Sequence, residues 1–363
     1  MRSESATVVG RPLLRPRAVV SLQAYQSPRR NMAGDAVFDV TKEGMQYRDC
    51  NSIADIVREV FDLIRNDSSR FTKGEVSYYF RGENRNFKVP NEVPRYKTIP
   101  GIYREDGHLE HESDFFNEAL RTYPEEFSRD KSTFEILTRM QHYGYPTRLL
   151  DVTSKLTTAL GMVANTGYDG KDCSNENGFI HVYRVKAERI KYGTSDTVTA
   201  LSNLARLKSN HVTFDEESLR YLGAECKNER AGFYVEEGSD VTKKLRRDLR
   251  KVFCVKPMVN NIRVNFQLGE FFLFGCNENK AMLDATFDEC DYEAVNAATE
   301  GIAEIGLVTL SPMAKKEAQE MSRYLDIGEA RLYSDFWHHS RCLSEAYKRR
   351  SSNGAPSKAW LNL

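Results

Sequence analysis

The stretch Gln141-His142-Tyr143-Gly144-Tyr145-Pro146-Thr147-Arg148-Leu149-Leu150-Asp151-Val152-Thr153 decides how the middle of this chain folds. Phe134, Leu137 and Met140 precede it at helical spacing, and one further turn of that stripe reaches Gln141 and His142. Polar groups on an inward helix face must find partners or line a site. Gly144 and Pro146 end the helix, and Thr147 to Leu150 run on as a short extended segment. Leu156, Leu160 and Val163 then mark a new helix, for which Asp151, Thr153 or Ser154 is the natural cap. The unit therefore reads helix, rigid corner, strand, helix. Gln141, His142, Tyr143, Thr147, Arg148, Asp151 and Thr153 can all hydrogen-bond or ionise. Each one buried without a partner would cost about 1–3 kcal/mol. Either they satisfy one another, with Arg148 on Asp151 and Thr153 capping the helix, or they line a pocket.

Upstream, Ser52 and Asp55 open a helix whose apolar face is Ile53, Ile56, Val57, Val60, Phe61 and Ile64. Val76 to Phe80 reads as a strand ending at Arg81-Gly82. A guanidinium fixed there is a clamp for phosphate or carboxylate, with glycine letting a ligand approach, or else half of an ion pair at a turn. Pro90, Pro94 and Pro100 break the next segment into a loop carrying Arg85, Arg95 and Arg104, and a helix follows around Phe116, Leu120 and Tyr123.

Downstream, strands are expected at Phe179–Val185, Val252–Val255 and Phe271–Phe274, with helical pieces near Val198, Leu201 and Leu204 and a last helix near Met321 and Leu325. The alternation is too irregular for a doubly wound parallel sheet. The expectation is an α+β fold, a mixed or antiparallel sheet flanked by helices, as a single domain over residues 41–348 with its signature at 76–164 and further strands and helices at 178–348. The Arg-rich, acid-poor residues 1–40 and the polar residues 349–363 read as disordered tails.

The 363 residues carry 52 basic and 52 acidic side chains, so no net field gathers polyanions. Lys243, Lys244, Arg246, Arg247, Arg250 and Lys251 form the densest basic cluster, at helical spacing. It reads as a solvated face balanced by Glu236, Glu237 and Asp240, which disfavours nucleic acid as a partner. The alternative reading, phosphate contact, predicts a steep salt dependence. Seven cysteines stand singly with no C-x-x-C pair, pointing to reduced thiols and a cytoplasmic setting. No run approaches the ~18 apolar residues that span a bilayer. His181 reads as a core or edge histidine, His338 and His339 lack the i, i+4 spacing of a metal pair on a helix, and His108 and His111 sit in a charged loop with Glu110 and Glu112. No metal site is assigned.

A Phe80-Arg81-Gly82 triplet followed by the Gln141–Thr153 run and an Ala-containing helix resembles the FRG domain family, over a core from about Val76 to Ala164. Arg263, Gln267, Gly269 and Phe271 match a later string of that family, and Gly328 to Leu332 a terminal one; Val152 stands where Trp is usual and Ser334 where Pro is. A remoter resemblance, to arginine-first ADP-ribosyltransferases, implies a fold of that kind and NAD as substrate. It places Arg81 on the diphosphate, Thr153 at a strand-to-helix turn, and Gln267 or Glu270 on a later strand as the catalytic position. Gln141, His142, Arg148 and Asp151 would complete the binding pocket. The alternative is a non-catalytic module taking a nucleotide or phosphate-bearing small molecule in the same pocket.

Overall fold

The computed structural model describes residues 46–67, 76–85, 99–104, 107–165, 173–208, 215–230, 240–258, 269–277 and 299–328, with Leu332, Ser340 and Ser344. In chain order its elements are β1 (Gln46–Cys50), α1 (Ile53–Asn66), β2 (Val76–Glu83), α2 (Glu112–Thr122), α3 (Pro124–Phe127), α4 (Thr133–His142), β3 (Leu149–Thr153) and α5 (Leu156–Ala164). They continue with β4 (Gly178–Lys186), β5 (Ile190–Tyr192), α6 (Asp196–Asn203), α7 (Glu216–Glu229), α8 (Asp240–Asp248), β6 (Val252–Lys256), β7 (Gly269–Phe274), β8 (Ile302–Leu310) and α9 (Pro312–Leu325). A 3-10 turn at Gly101–Tyr103 precedes α2.

The eight strands form one sheet in the order β1-β8-β4-β2-β3-β7-β6-β5. The outermost pairs, β1 with β8 and β5 with β6, are parallel, and the rest are antiparallel. The sheet is thus mixed and the class α+β, as the irregular alternation implied.

Alternation along the strands sends successive side chains to opposite faces. One face carries Phe80, Ile180, Val182 and Val308, packed with Ile56, Val60 and Leu63 of α1 and with α5 and α9. Beside them Leu149, Phe253, Phe271 and Leu273 pack with α2, α4, α6, α7 and α8. The opposite face carries Tyr79, Leu150, Val152, Tyr183, Cys254, Phe272 and Phe274, with Tyr103 packed against them. Val152 is fully buried in that cluster.

Local chemistry explains several boundaries. The Ser52 hydroxyl accepts the Asp55 N–H at 3.1 Å and caps α1. Ser132 does the same for Glu135 at the start of α4. At α5 the N-cap position is Lys155, without a side-chain cap. The Thr153 hydroxyl instead accepts the Lys155 N–H at 3.1 Å, one turn short of the helix proper. Strand β2 runs on through Glu83, so Arg81 lies inside the ladder, opposite His181 of β4, rather than at its end.

Five elements had no counterpart in the sequence reading: β1, α3, β5, α7 and β8. Strand β8, Ile-Ala-Glu-Ile-Gly-Leu-Val-Thr-Leu, is buried along nearly its whole length, and a strand covered on both faces shows no alternation to read. Residues 1–40 and 349–363, expected as tails, lie outside the described residues, as do Arg263, Gln267, Ser334, Glu236 and Glu237.

Gly82 has a steric reason. A Cβ there would fall well inside contact distance of the Ala159 carbonyl oxygen and meet the Met162 side chain, because α5 lies directly on β2. The close approach that glycine permits is that of a helix, not of a ligand. Gly82→Ala should therefore destabilise the protein by about 1–3 kcal/mol or more through overpacking, measured by denaturant unfolding.

Candidate functional site

Strands β2 and β3 pair at one position only, Phe80 with Thr153. On their other sides β2 pairs with β4 over eight positions and β3 with β7 over five. Past Phe80 the two central strands part, and the backbone groups along the parting need other partners. Arg81 supplies one: its Nη1 donates to the Asp151 carbonyl at 2.9 Å. Its Nε donates to Glu83 Oε1 at 3.2 Å. Its Nη2 makes no hydrogen bond among the described residues.

The parting is also held from the helical side. Gln141, near the end of α4, donates from Nε2 to Asp151 Oδ2 at 2.9 Å and accepts from the Thr147 hydroxyl at 2.6 Å. The Thr147 hydroxyl in turn accepts the Leu149 N–H. His142, the next residue of α4, is half-buried.

A second arginine comes from the turn after Gly101–Tyr103. That turn is tied to the start of β3 by Ile102 N–H donating to the Thr147 carbonyl, and the Tyr103 hydroxyl donates to the Gly275 carbonyl. Arg104 donates from Nε to the Ile99 carbonyl at 3.1 Å, and its terminal nitrogens make no hydrogen bond among the described residues. Arg104 is exposed, yet the protein around it and the neighbouring Arg81 charge lower its pKa, while Glu83 and Asp151 oppose them. Arg81 is largely buried, but Glu83 and Asp151 outweigh that cost and its pKa is raised. Two guanidiniums with unused donors thus stand within electrostatic reach of each other, the arrangement that receives a polyvalent anion.

Arg148 is different. It is fully buried, donates from Nε to Glu112 Oε1 at 2.8 Å and from Nη2 to Glu112 Oε2, and from Nη1 to the Phe274 carbonyl at 2.9 Å. Its partner is Glu112 of α2 rather than Asp151, and all three donating nitrogens are spent on fixing α2 and β7 to β3. Its role in the fold is therefore structural.

Beside Arg81 lies a buried charged network that periodicity did not reveal. His181, opposite Arg81 on β4, is fully buried. Its Nδ1 lies 2.6 Å from Glu304 Oε1 of β8, and its Nε2 lies 3.6 Å from Glu83 Oε2. Burial disfavours the imidazolium, but the two carboxylates outweigh burial and push its pKa up to about 9. Burial likewise pushes Glu83 up, yet His181, Arg81 and Arg104 together hold its carboxyl below the usual range. The period of two places Glu83 beside Arg81, and Glu304 is the lone charge in an apolar strand; those were the available signals.

Glu270 lies next to Val152 in the β3–β7 register and so projects from the same face as Arg81. Its Oε2 accepts the Ser154 N–H at 3.1 Å, and burial raises its pKa, with the Ser154 N–H and hydroxyl opposing. Thr153 is fully buried on the helical face, paired with Phe80. The geometry thus seats Ser154, not Thr153, beside Glu270. Gln267 lies outside the described residues. Two surface hollows, one lined by Asp130, Thr133, Arg206 and Glu229 and one by His108, His111 and Phe115, do not include any of these groups.

Residues 76–166 match the family model of the FRG domain, which begins with β2 and ends just past α5. The chain therefore carries an FRG domain, and Arg81, Gln141, Arg148, Asp151 and Ser154 all fall within it. No curated protein and no solved structure gives a significant match. Among the described residues no helix is long and apolar enough to cross a membrane, and no group of three or more His, Cys, Asp or Glu could hold a metal ion. The five described cysteines, Cys50, Cys173, Cys226, Cys254 and Cys276, are buried and form no disulfide among the described residues.

Two outcomes follow from this geometry. Arg148→Ala leaves Glu112 buried without its partner and should cost about 3–5 kcal/mol of folding stability, read from urea unfolding. The raised pKa of His181 gives stability that is fully present below its ordinary value of 6.5 and lost as pH rises through about 9. Thermal unfolding should show that alkaline loss in the native protein and a flatter profile in His181→Gln.

Proposed function

We propose that the protein binds a nucleotide by its diphosphate at Arg81 and Arg104 and, in the manner of arginine-first ADP-ribosyltransferases, cleaves the nicotinamide–ribose bond of NAD. The observation that carries this reading is that Arg81 and Glu270 project from one face of the sheet, on strands flanking β3, with Ser154 bonded to Glu270, in the chain order of that enzyme class. Breaking that bond builds positive charge on the ribose, which a carboxylate in a water-poor site stabilises. Glu270 is the carboxylate on this face nearest the strand-to-helix turn. Ser154 holds it there by its backbone N–H. The arginines supply the diphosphate clamp from their unused terminal nitrogens. Gln141 and Asp151 orient the backbone carbonyl on which Arg81 rests.

One observation favours the second reading, a non-catalytic nucleotide-binding module. Glu270 already accepts a backbone hydrogen bond and is half-buried, which suits a residue that fixes the β3–α5 turn. A single set of measurements separates the two. Incubated with NAD, the native protein should release nicotinamide, Glu270→Gln should lower the rate about 100-fold or more while still binding, and Arg81→Ala should lose both. Ligand-induced stabilisation without turnover, lost in Arg81→Ala, selects the binding module. Neither turnover nor stabilisation overturns both readings.

A further inference from the structure

We propose that His181 is a positioning residue for Arg81: as an imidazolium seated between Glu304 and Glu83, it keeps one Glu83 oxygen to itself and leaves the Arg81 guanidinium free to take an anion. The inference deepens the nucleotide-binding reading above and rests on it for the identity of the anion. Its basis is a contrast between two arginine–glutamate pairs in the same protein. Glu112 meets Arg148 with both oxygens, through Nε and Nη2. Glu83 meets Arg81 with one oxygen, through Nε alone, and its second oxygen faces His181 Nε2 at 3.6 Å. The fork that Arg148 closes on its carboxylate therefore stays open at Arg81.

The network has a fixed order across the sheet: Glu304 on β8, His181 on β4, Glu83 and Arg81 on β2, and the Asp151 carbonyl on β3. The charged and titratable groups facing His181 include Glu83 and Arg81 from β2, Glu304 from β8, and Tyr183 on its own strand, stacked at 6.1 Å. Arg104 acts on Glu83 from the turn above. The two carboxylates prevail over burial, so the ring carries its second proton at neutral pH. With both nitrogens protonated, His181 donates toward Glu304 and Glu83 at once. When the proton leaves, the Nδ1 hydrogen stays with Glu304, the closer acceptor, and Nε2 turns a lone pair toward Glu83. That contact is repulsive. Arg81 is then the one cation still hydrogen-bonded to Glu83, and the second Glu83 oxygen moves to the Nη2 of Arg81, the group an incoming anion needs. Anion affinity falls as a result. Linkage requires the converse: an anion on Arg81 releases Glu83 toward His181 and raises the imidazole pKa by the same free energy.

The test uses ADP as probe on the full chain, with the His181 imidazole followed by NMR and ADP affinity by calorimetry between pH ~7 and ~10. ADP should raise the His181 pKa by about one unit and should bind about tenfold more weakly once His181 is deprotonated. His181→Gln should bind at the weak alkaline level throughout, with a flat pH profile. A second variant needs no change at His181: Arg81→Gln should free Glu83 and raise the His181 pKa without any ligand. An unchanged His181 pKa in Arg81→Gln overturns the coupling, whether or not ADP binds. ADP affinity independent of pH in the native protein overturns it as well. A shifted pKa in Arg81→Gln with no ADP binding supports the coupling and overturns the nucleotide reading instead.

Discussion

The separation of β2 from β3 after a single residue pair governs everything around it. A sheet that continued unbroken would satisfy the backbone of Val152 and Asp151 by ladder bonds and leave no room for side chains between the strands. Because the strands part, a carbonyl in the middle of the protein accepts from a guanidinium instead. The opening stays narrow because each strand is locked on its outer side, β2 to β4 and β3 to β7. Gly82 lets α5 press on β2 beside it, and Gln141 ties the far strand to α4. The Phe-Arg-Gly triplet thus divides its labour by strand period: Phe80 into the helical core, Arg81 onto the opposite face, Gly82 beneath the helix.

The two arginines show how one side chain serves two ends. Removing a guanidinium from water is costly, and in the interior only close hydrogen bonds to a carboxylate repay it. Arg148 achieves that in full and joins three segments, so its chemistry is exhausted by folding. Arg81 is held less completely, and Arg104 beside it is held by a single backbone carbonyl. Incomplete satisfaction at a largely buried charge such as Arg81 is where a ligand gains most, since the protein has already met the desolvation cost.

Much of the framework was legible in the sequence because it rests on local rules. The α1 cap at Ser52, the Gly144-Tyr145-Pro146 corner, the α4 stripe and the strand at Phe271 each follow from spacing and turn chemistry. The inward placement of Gln141 was legible for the same reason. The partner of Arg148 was not, because Glu112 is 36 residues away and no local pattern pairs them. His181 was read as an ordinary core histidine because the carboxylates that charge it come from β2 and β8, and the latter, apolar on both faces, gave no strand signal of its own. Thr153 and Ser154 are adjacent in sequence but take opposite roles, since one residue of strand phase decides which reaches Glu270.

The shared family segment has a limit set by strand order. Between residues 76 and 166 lie β2 and β3, which touch each other at one pair, whereas the strands that hold them, β4 and β7, come later in the chain. Lys315 of α9 adds a further tie from outside the segment, donating to the carbonyls of Asn84, Cys173 and Glu176 and so anchoring the chain just after Glu83. In this chain the matched segment is therefore a set of interlocked parts rather than a separable unit. Cut out on its own, the segment would expose two unpaired edges and the apolar face of α5, and would aggregate before it could be studied.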